Sequence, residues 1–195
     1  MSGLHAGEID CLLGRVLGDE APYLGSAARA SLTTRLPGMR WLGVFARDEL
    51  PDLIKQERPF ALVLNTDPRS KPGQHWLALF APPEGQFELF DSFGMPPATY
   101  GLAHLNPIHS RISLQSPTSA YCGHYCIYFL YLRSHSRHST LHSPNSFNSI
   151  LDWLRKMHVP DHWVRNYVQA LQHTYRVLNP CYCTGQCSKL KCSFC

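Results

Sequence analysis

The sequence predicts an α+β domain, and three observations carry that expectation. Apolar runs of strand length fill the middle of the 195-residue chain. Helical patterns occupy both ends, so strands and helices are segregated along the chain. Apolar residues make up 44% against 16% charged, a balance that favours a folded core over a disordered chain. A chain of this length holds one such core. The expected division is one domain, 1–178, followed by a cysteine-rich tail, 179–195.

The elements follow in order. Residues 8–17 read as a short amphipathic helix carrying Ile9, Leu12, Leu13 and Val16. "RLPGMRWLGVFARDELP" combines a Pro-Gly turn, a short apolar strand and a second turn. "RPFALVLNT" is a continuous apolar strand, and "DPRSKPGQ" is an exposed loop. "HWLALFAP" and "QFELFDSF" are two more strands separated by "PEG". Residues 94–110, with prolines and glycines throughout, read as irregular, and "RISLQS" as a fourth strand. The apolar run from Tyr121 to Leu132 is too long for most strands and does not alternate, which makes it a buried helix. A polar connector follows, then helices near 146–157 and 160–176.

The net charge of +4 permits contact with nucleic acid without demanding it. The first residues show no basic head, apolar run and cleavage site of a secretory signal, and no apolar run spans a bilayer. The expected setting is reducing, where thiols are free, metal-bound or catalytic. The eight cysteines are unevenly spread. Cys11 stands alone, Cys122 and Cys126 form a pair, and five crowd into "CYCTGQCSKLKCSFC". Two cysteine chemistries are therefore expected.

Cys122 comes first. Thr118 or Ser119 can cap the buried helix and place Cys122 in its first turn. Helix N-termini favour an anion and hence a thiolate. Gly123 leaves the space beside the thiol open. A lone cysteine here is more often a small buried hydrophobe, so a base has to be found. His75 opens the strand "HWLALFAP", where it can hold a fixed orientation and take a thiol proton. Asp91 closes the next strand. If Pro83-Glu84-Gly85 is a three-residue hairpin loop with Gly85 left-handed, residue 75 faces residue 93. Asp91 then shares a face with His75 as its diagonal neighbour, close enough to orient the imidazole. A two-residue loop would put them on opposite faces. Gln115, seven residues before Cys122, can aim its amide at the oxygen of a tetrahedral intermediate, together with the Cys122 N–H. Such preorganised donors are worth about 3 kcal/mol each.

The order His, Asp, Gln, Cys in these contexts resembles the adenovirus protease (adenain) family of cysteine proteases. "LVLNTDPRSKPGQHWLALF", "FELFDSFG" and "LQSPTSAYCGHYC" are similar to that family's histidine, acid and glutamine-to-cysteine segments, and "GVFARDELP" fits more loosely. The likeness covers residues 20–135, and the SUMO-specific proteases are remote relatives with the same order. It implies a papain-like fold in permuted His-Asp-Gln-Cys order, with a small mixed sheet flanked by helices. It implies Cys122 as nucleophile, His75 as base, Asp91 as orienter and Gln115 as oxyanion donor, with Trp76 packed next to the histidine. Trp76 and Gly123 are the expected substrate-binding positions. The implied substrates are viral capsid and core precursors cut at small-residue, glycine-containing sites. The implied setting is the host nucleus and the virion, with DNA and a cysteine-bearing peptide as activators. A monomer with no membrane partner, and chemistry that needs no cofactor, are expected. One departure stands out. The family tethers its peptide through a cysteine some residues before the glutamine, and in this chain no cysteine lies between residues 12 and 121.

The tail spacing, C-x-C-x3-C-x4-C-x2-C over Cys181, Cys183, Cys187, Cys192 and Cys195, leaves a zinc site, disulfides or a mobile tail open. Its last segment, "SKLKCSFC", also loosely resembles the family's basic, cysteine-bearing activating peptide. Arg133 and Arg137 in "RSHSRHS" are further candidates for phosphate contact, while His135, His138 and His142 have no provable ligand geometry. Two other functions compete. One is a deconjugating protease for ubiquitin-like modifiers. The other is a zinc-dependent nucleic-acid-binding protein on an inactive scaffold.

Overall fold

Strands β2 (Phe60–Asn65) and β3 (Trp76–Ala81) are apolar on both faces, and both faces are covered. Along β2, Phe60, Leu62 and Leu64 join one core cluster while Ala61 and Val63 join the other. Along β3, Leu77, Leu79 and Ala81 separate from Ala78 and Phe80 in the same way. This is the period-two alternation of a strand buried on each side.

The computed structural model describes residues 4–17, 39–71, 73–134 and 146–178. Helix α1 (Ala6–Leu17) precedes β1 (Arg40–Phe45), which runs through a helical turn at Arg47–Glu49 into the short α2 (Leu50–Leu53). After β2 and β3 come β4 (Glu88–Phe90), 3-10 turns at Pro97–Tyr100 and Ala103–Leu105, and β5 (Ile108–His109). Helices α3 (Cys122–Ser134), α4 (Phe147–Lys156) and α5 (Asp161–Leu178) complete the order. The strands form one mixed sheet, β1-β2-β3-β4-β5, antiparallel at its centre and parallel at both margins. Among the described residues, no helix is long and apolar enough to cross a membrane.

Helix α3 is the organising element. It is apolar nearly all round because it lies on β3 and is enclosed by α1, α4 and α5. Phe129 stacks on Phe90 at 4.5 Å between ring centres. At the far end of α3, Arg133 makes a two-pronged pair with buried Glu88 (2.8 and 3.0 Å) and sits 4.3 Å over the Phe80 ring. The expectation of Arg133 as a phosphate contact is therefore corrected: its guanidinium is committed inside the protein. Arg137, His135, His138, His142 and the tail from Asn179 onward lie outside the described residues.

Three local expectations also change. "RISLQS" is not a strand. Leu114 and Gln115 both donate to the single Ser92 carbonyl (2.8 and 3.1 Å), a pattern that fastens a loop without building a ladder. The fifth strand instead lies at Ile108–His109, inside the stretch read as irregular. Neither Thr118 nor Ser119 caps α3. They belong to a turn closed by Ser119 N on Ser116 O, and the helix begins at Cys122. Finally, β3–β4 pairing stops at Phe80 and Glu88, so the loop is wider than three residues. It is nonetheless centred on Glu84, with Gly85 at φ +90°, which keeps the register that aligns 75 with 93.

Candidate active site

That register brings His75 and Asp91 together. The two lie just beyond the paired ends of β3 and β4, and His75 Nε2 meets Asp91 Oδ1 at 2.7 Å. The Asp91 carboxylate is 1% exposed, and it is saturated. Oδ1 also accepts from Phe93 N, and Oδ2 accepts from Met95 N and the Tyr100 hydroxyl, each at 2.9 Å. Its peptide is held on both sides by Ser110 Oγ, which accepts from Asp91 N (2.8 Å) and donates to Asp91 O (2.7 Å). Burial works against the carboxylate, but the His75 hydrogen bond and the Phe93 and Met95 amides outweigh it and hold its pKa below the ordinary value.

The imidazole is equally constrained. Phe93 stacks on it at 4.8 Å and Tyr100 lies at 5.9 Å. With Nε2 donating to Asp91, Nδ1 is the nitrogen free to take a proton. Nδ1 is buried and has no hydrogen-bond partner at good geometry. Burial disfavours the imidazolium, yet Asp91 and Cys122 more than offset this and raise the His75 pKa to about 9.

Cys122, Gln115 and His75 line one cleft of about 310 Å³, with Trp76, Phe93 and Ser119 among its other walls. Cys122 is the first residue of α3 and remains 8% exposed. Gln115 is buried, with its Nε2 donating to Ser119 O at 2.8 Å and its Oε1 accepting from Ser92 Oγ at 2.6 Å. The loop carrying Gln115 is pinned by Tyr125 of α3, whose hydroxyl reaches Leu114 O (3.2 Å) and Asp161 (2.9 Å). It also crosses Gly94 so closely that a Cβ there would lie 2.6 Å from the Ile112 backbone. A larger cavity, about 710 Å³ between β5 and α4, contains none of the four residues.

Two expected positions are placed differently. Gly123 does not open space beside the thiol. It is buried under α1, where an added Cβ would meet Ile9 at 2.8 Å, and it allows the two helices to approach. Trp76 lines the cleft but belongs with Ala78 and Phe80 in the core cluster on the α3 side, and the ring stacked on His75 is Phe93, with Tyr100 tilted beside it. Successive residues of a strand project to opposite faces, which separates Trp76 from its neighbour. Sequence reasoning missed Ser92, Tyr100 and Ser110. Ser92 and Phe93 sat in plain view beside Asp91, whereas nothing local marks Tyr100 as a partner nine residues on.

No family model matches the chain. It is similar to the protein named "Protease" of Porcine adenovirus A serotype 3, 27% identical over 134 residues covering 58% of this chain and 63% of that protein. It is 31% identical to the "Protease" of Bovine adenovirus B serotype 3 over 115 residues, 48% of this chain and 56% of the relative. It is also 31% identical to that of Snake adenovirus serotype 1 over 101 residues, 42% and 50%. Over about half of its length the chain is similar to adenovirus proteases. The matches span between half and two thirds of those relatives' own length.

Proposed function

We propose that the chain is a cysteine endopeptidase with Cys122 as nucleophile, His75 as base, Asp91 as orienter and Gln115 as oxyanion donor. One observation carries the reading. A buried carboxylate grips one nitrogen of an imidazole, while the other nitrogen is left for a cysteine at a helix start in the same cleft. An imidazole with a pKa of about 9 is protonated at neutral pH and so carries the proton that the leaving amine needs.

In this mechanism the Cys122 sulfur attacks the scissile carbonyl carbon. A C–S bond forms and the carbonyl π pair moves to oxygen, which meets the Gln115 amide and the Cys122 N–H. Collapse of the intermediate breaks the C–N bond, and the imidazolium gives its proton to the leaving amine. His75 then takes a proton from water as the water attacks the thioester; collapse breaks the C–S bond, and the acid product leaves with the sulfur and the imidazolium back in their starting state.

We read the arrangement as papain-like in permuted order, and the substrates as viral capsid and core precursors cut at glycine-containing sites during maturation in the host nucleus and virion. The adenoviral relatives, each named "Protease", support the viral-protease part of this reading. DNA and a short peptide are proposed activators. The deconjugase alternative uses the same four residues, so substrate choice has to separate the two. The nucleic-acid-binding alternative needs a zinc site in the tail, outside the described residues. Cys122→Ala is expected to abolish cleavage of glycine-rich precursor peptides and labelling by a peptide vinyl sulfone, with the melting temperature kept. Full cleavage by that variant would end the reading. Efficient cleavage of ubiquitin-like conjugates, with precursor peptides left intact, would favour the deconjugase.

A further inference from the structure

We propose that Ser92 is a positioning residue that aims the Gln115 amide at the reacting carbonyl, an inference that rests on the proteolytic reading above. Ser92 is wholly buried. A buried hydroxyl is costly unless bonded, and this one donates to Gln115 Oε1 at 2.6 Å. Its own carbonyl accepts from the amides of Leu114 and Gln115, so one residue holds both the backbone and the side chain of the glutamine.

The orientation follows from donor and acceptor chemistry. A primary amide can be turned to exchange its oxygen and its NH2 group. The atom 2.8 Å away on one side is the Ser119 carbonyl oxygen, which only accepts, so the nitrogen belongs there. The oxygen then lies toward Ser92, where it needs a donor, and the hydroxyl is that donor. One Nε2 hydrogen is taken by Ser119 O, and the second remains for the cleft that Gln115 shares with Cys122. Without the hydroxyl, Oε1 is a buried acceptor lacking its donor, and the amide turns away from its working direction to find one. The loss falls on a group that meets charge developing in the transition state, and so on kcat.

The test compares Ser92→Ala and the volume-conserving Ser92→Cys with Gln115→Ala. Both Ser92 variants are expected to lower kcat about tenfold with KM held, less than removal of the oxyanion donor itself. Affinity for a peptide aldehyde, whose hemithioacetal presents the same oxygen, should fall in step with kcat. Alkylation of Cys122 by iodoacetamide develops no such oxygen and should keep its wild-type rate, as should the melting temperature. Adding Ser92→Ala to Gln115→Ala should change kcat little further, since both act through one amide. Wild-type kcat in both Ser92 variants, with Gln115→Ala impaired, would overturn the proposal and leave the protease standing. Alkylation slowing in parallel with kcat, or full additivity of the two changes, would also overturn it. Activity retained by Cys122→Ala would instead bring down the protease reading itself.

Discussion

The two halves of the site are preorganised by different means. His75 and Asp91 extend a ladder, so strand pairing sets their distance and the shared face. Gln115 and Cys122 sit on either side of a loop that has no ladder, and point bonds hold it: Ser92, Ser119 and Tyr125 to the glutamine side, and the start of α3 to the cysteine. A ladder spreads its constraint over many rungs, and β3 has β2 as a second neighbour. The loop depends on a few hydrogen bonds, each of which a single substitution can remove. The histidine half should therefore tolerate change better than the glutamine half.

Gln115→Ala offers the largest effect on the loop half. It is expected to lower kcat by about 10² with little change in KM, as loss of one oxyanion donor does. A raised KM at constant kcat would make the side chain a substrate contact. Asp91→Asn tests the ladder half and should cost less activity than His75→Ala, because three aromatic and backbone partners still surround the ring and the turn. Its signature is in the pH profile. Asp91 helps hold the His75 pKa near 9, so removing the carboxylate lowers that value, and the alkaline limb of activity moves to lower pH. The same pair makes stability depend on pH. The His75 share is complete below its ordinary 6.5 and fades as pH rises through about 9. The Asp91 share is complete above its ordinary 3.8 and fades as pH falls through its lowered value. A limb that stays in place in the Asp91→Asn variant would show that the carboxylate does not tune the imidazole.

Gly94 joins the two halves. Its φ is +70° and a side chain would strike the Ile112 backbone, so Gly94→Ala should destabilise by about 2–4 kcal/mol in a denaturant melt. The expected smallest effect is at Gly85, in the hairpin loop. Its φ is +90° but nothing lies near a Cβ there, so Gly85→Ala should cost about 1 kcal/mol of stability and leave kcat alone. Equal costs at the two glycines would mean that backbone strain, not the crossing with Ile112, governs Gly94.

Much of the ladder half was legible in the sequence because its geometry repeats every two residues. The parity of the turn around Glu84 decides whether His75 and Asp91 share a face, and the loop can widen without altering that parity. The start of α3 was legible too, since the apolar run begins beside Cys122. The caps were not, because Thr118 and Ser119 are good capping residues whatever turn they occupy. Nor was "RISLQS", whose strand-like composition is overridden by two amides bonding one carbonyl.

By itself the sequence determined the apolar strands up to β4, the register of the central hairpin and the helix that presents the cysteine, since these rest on local patterning, while "RISLQS" and β5 were outside its reach. Tertiary structure alone decided that Gly123 lies beneath Ile9, that Phe93 and Tyr100 flank His75, and that the Gln115 amide is turned by Ser92 and Ser119. Those contacts join segments with no common period. Each depends on single side chains meeting single backbone groups once the sheet and α3 have already packed.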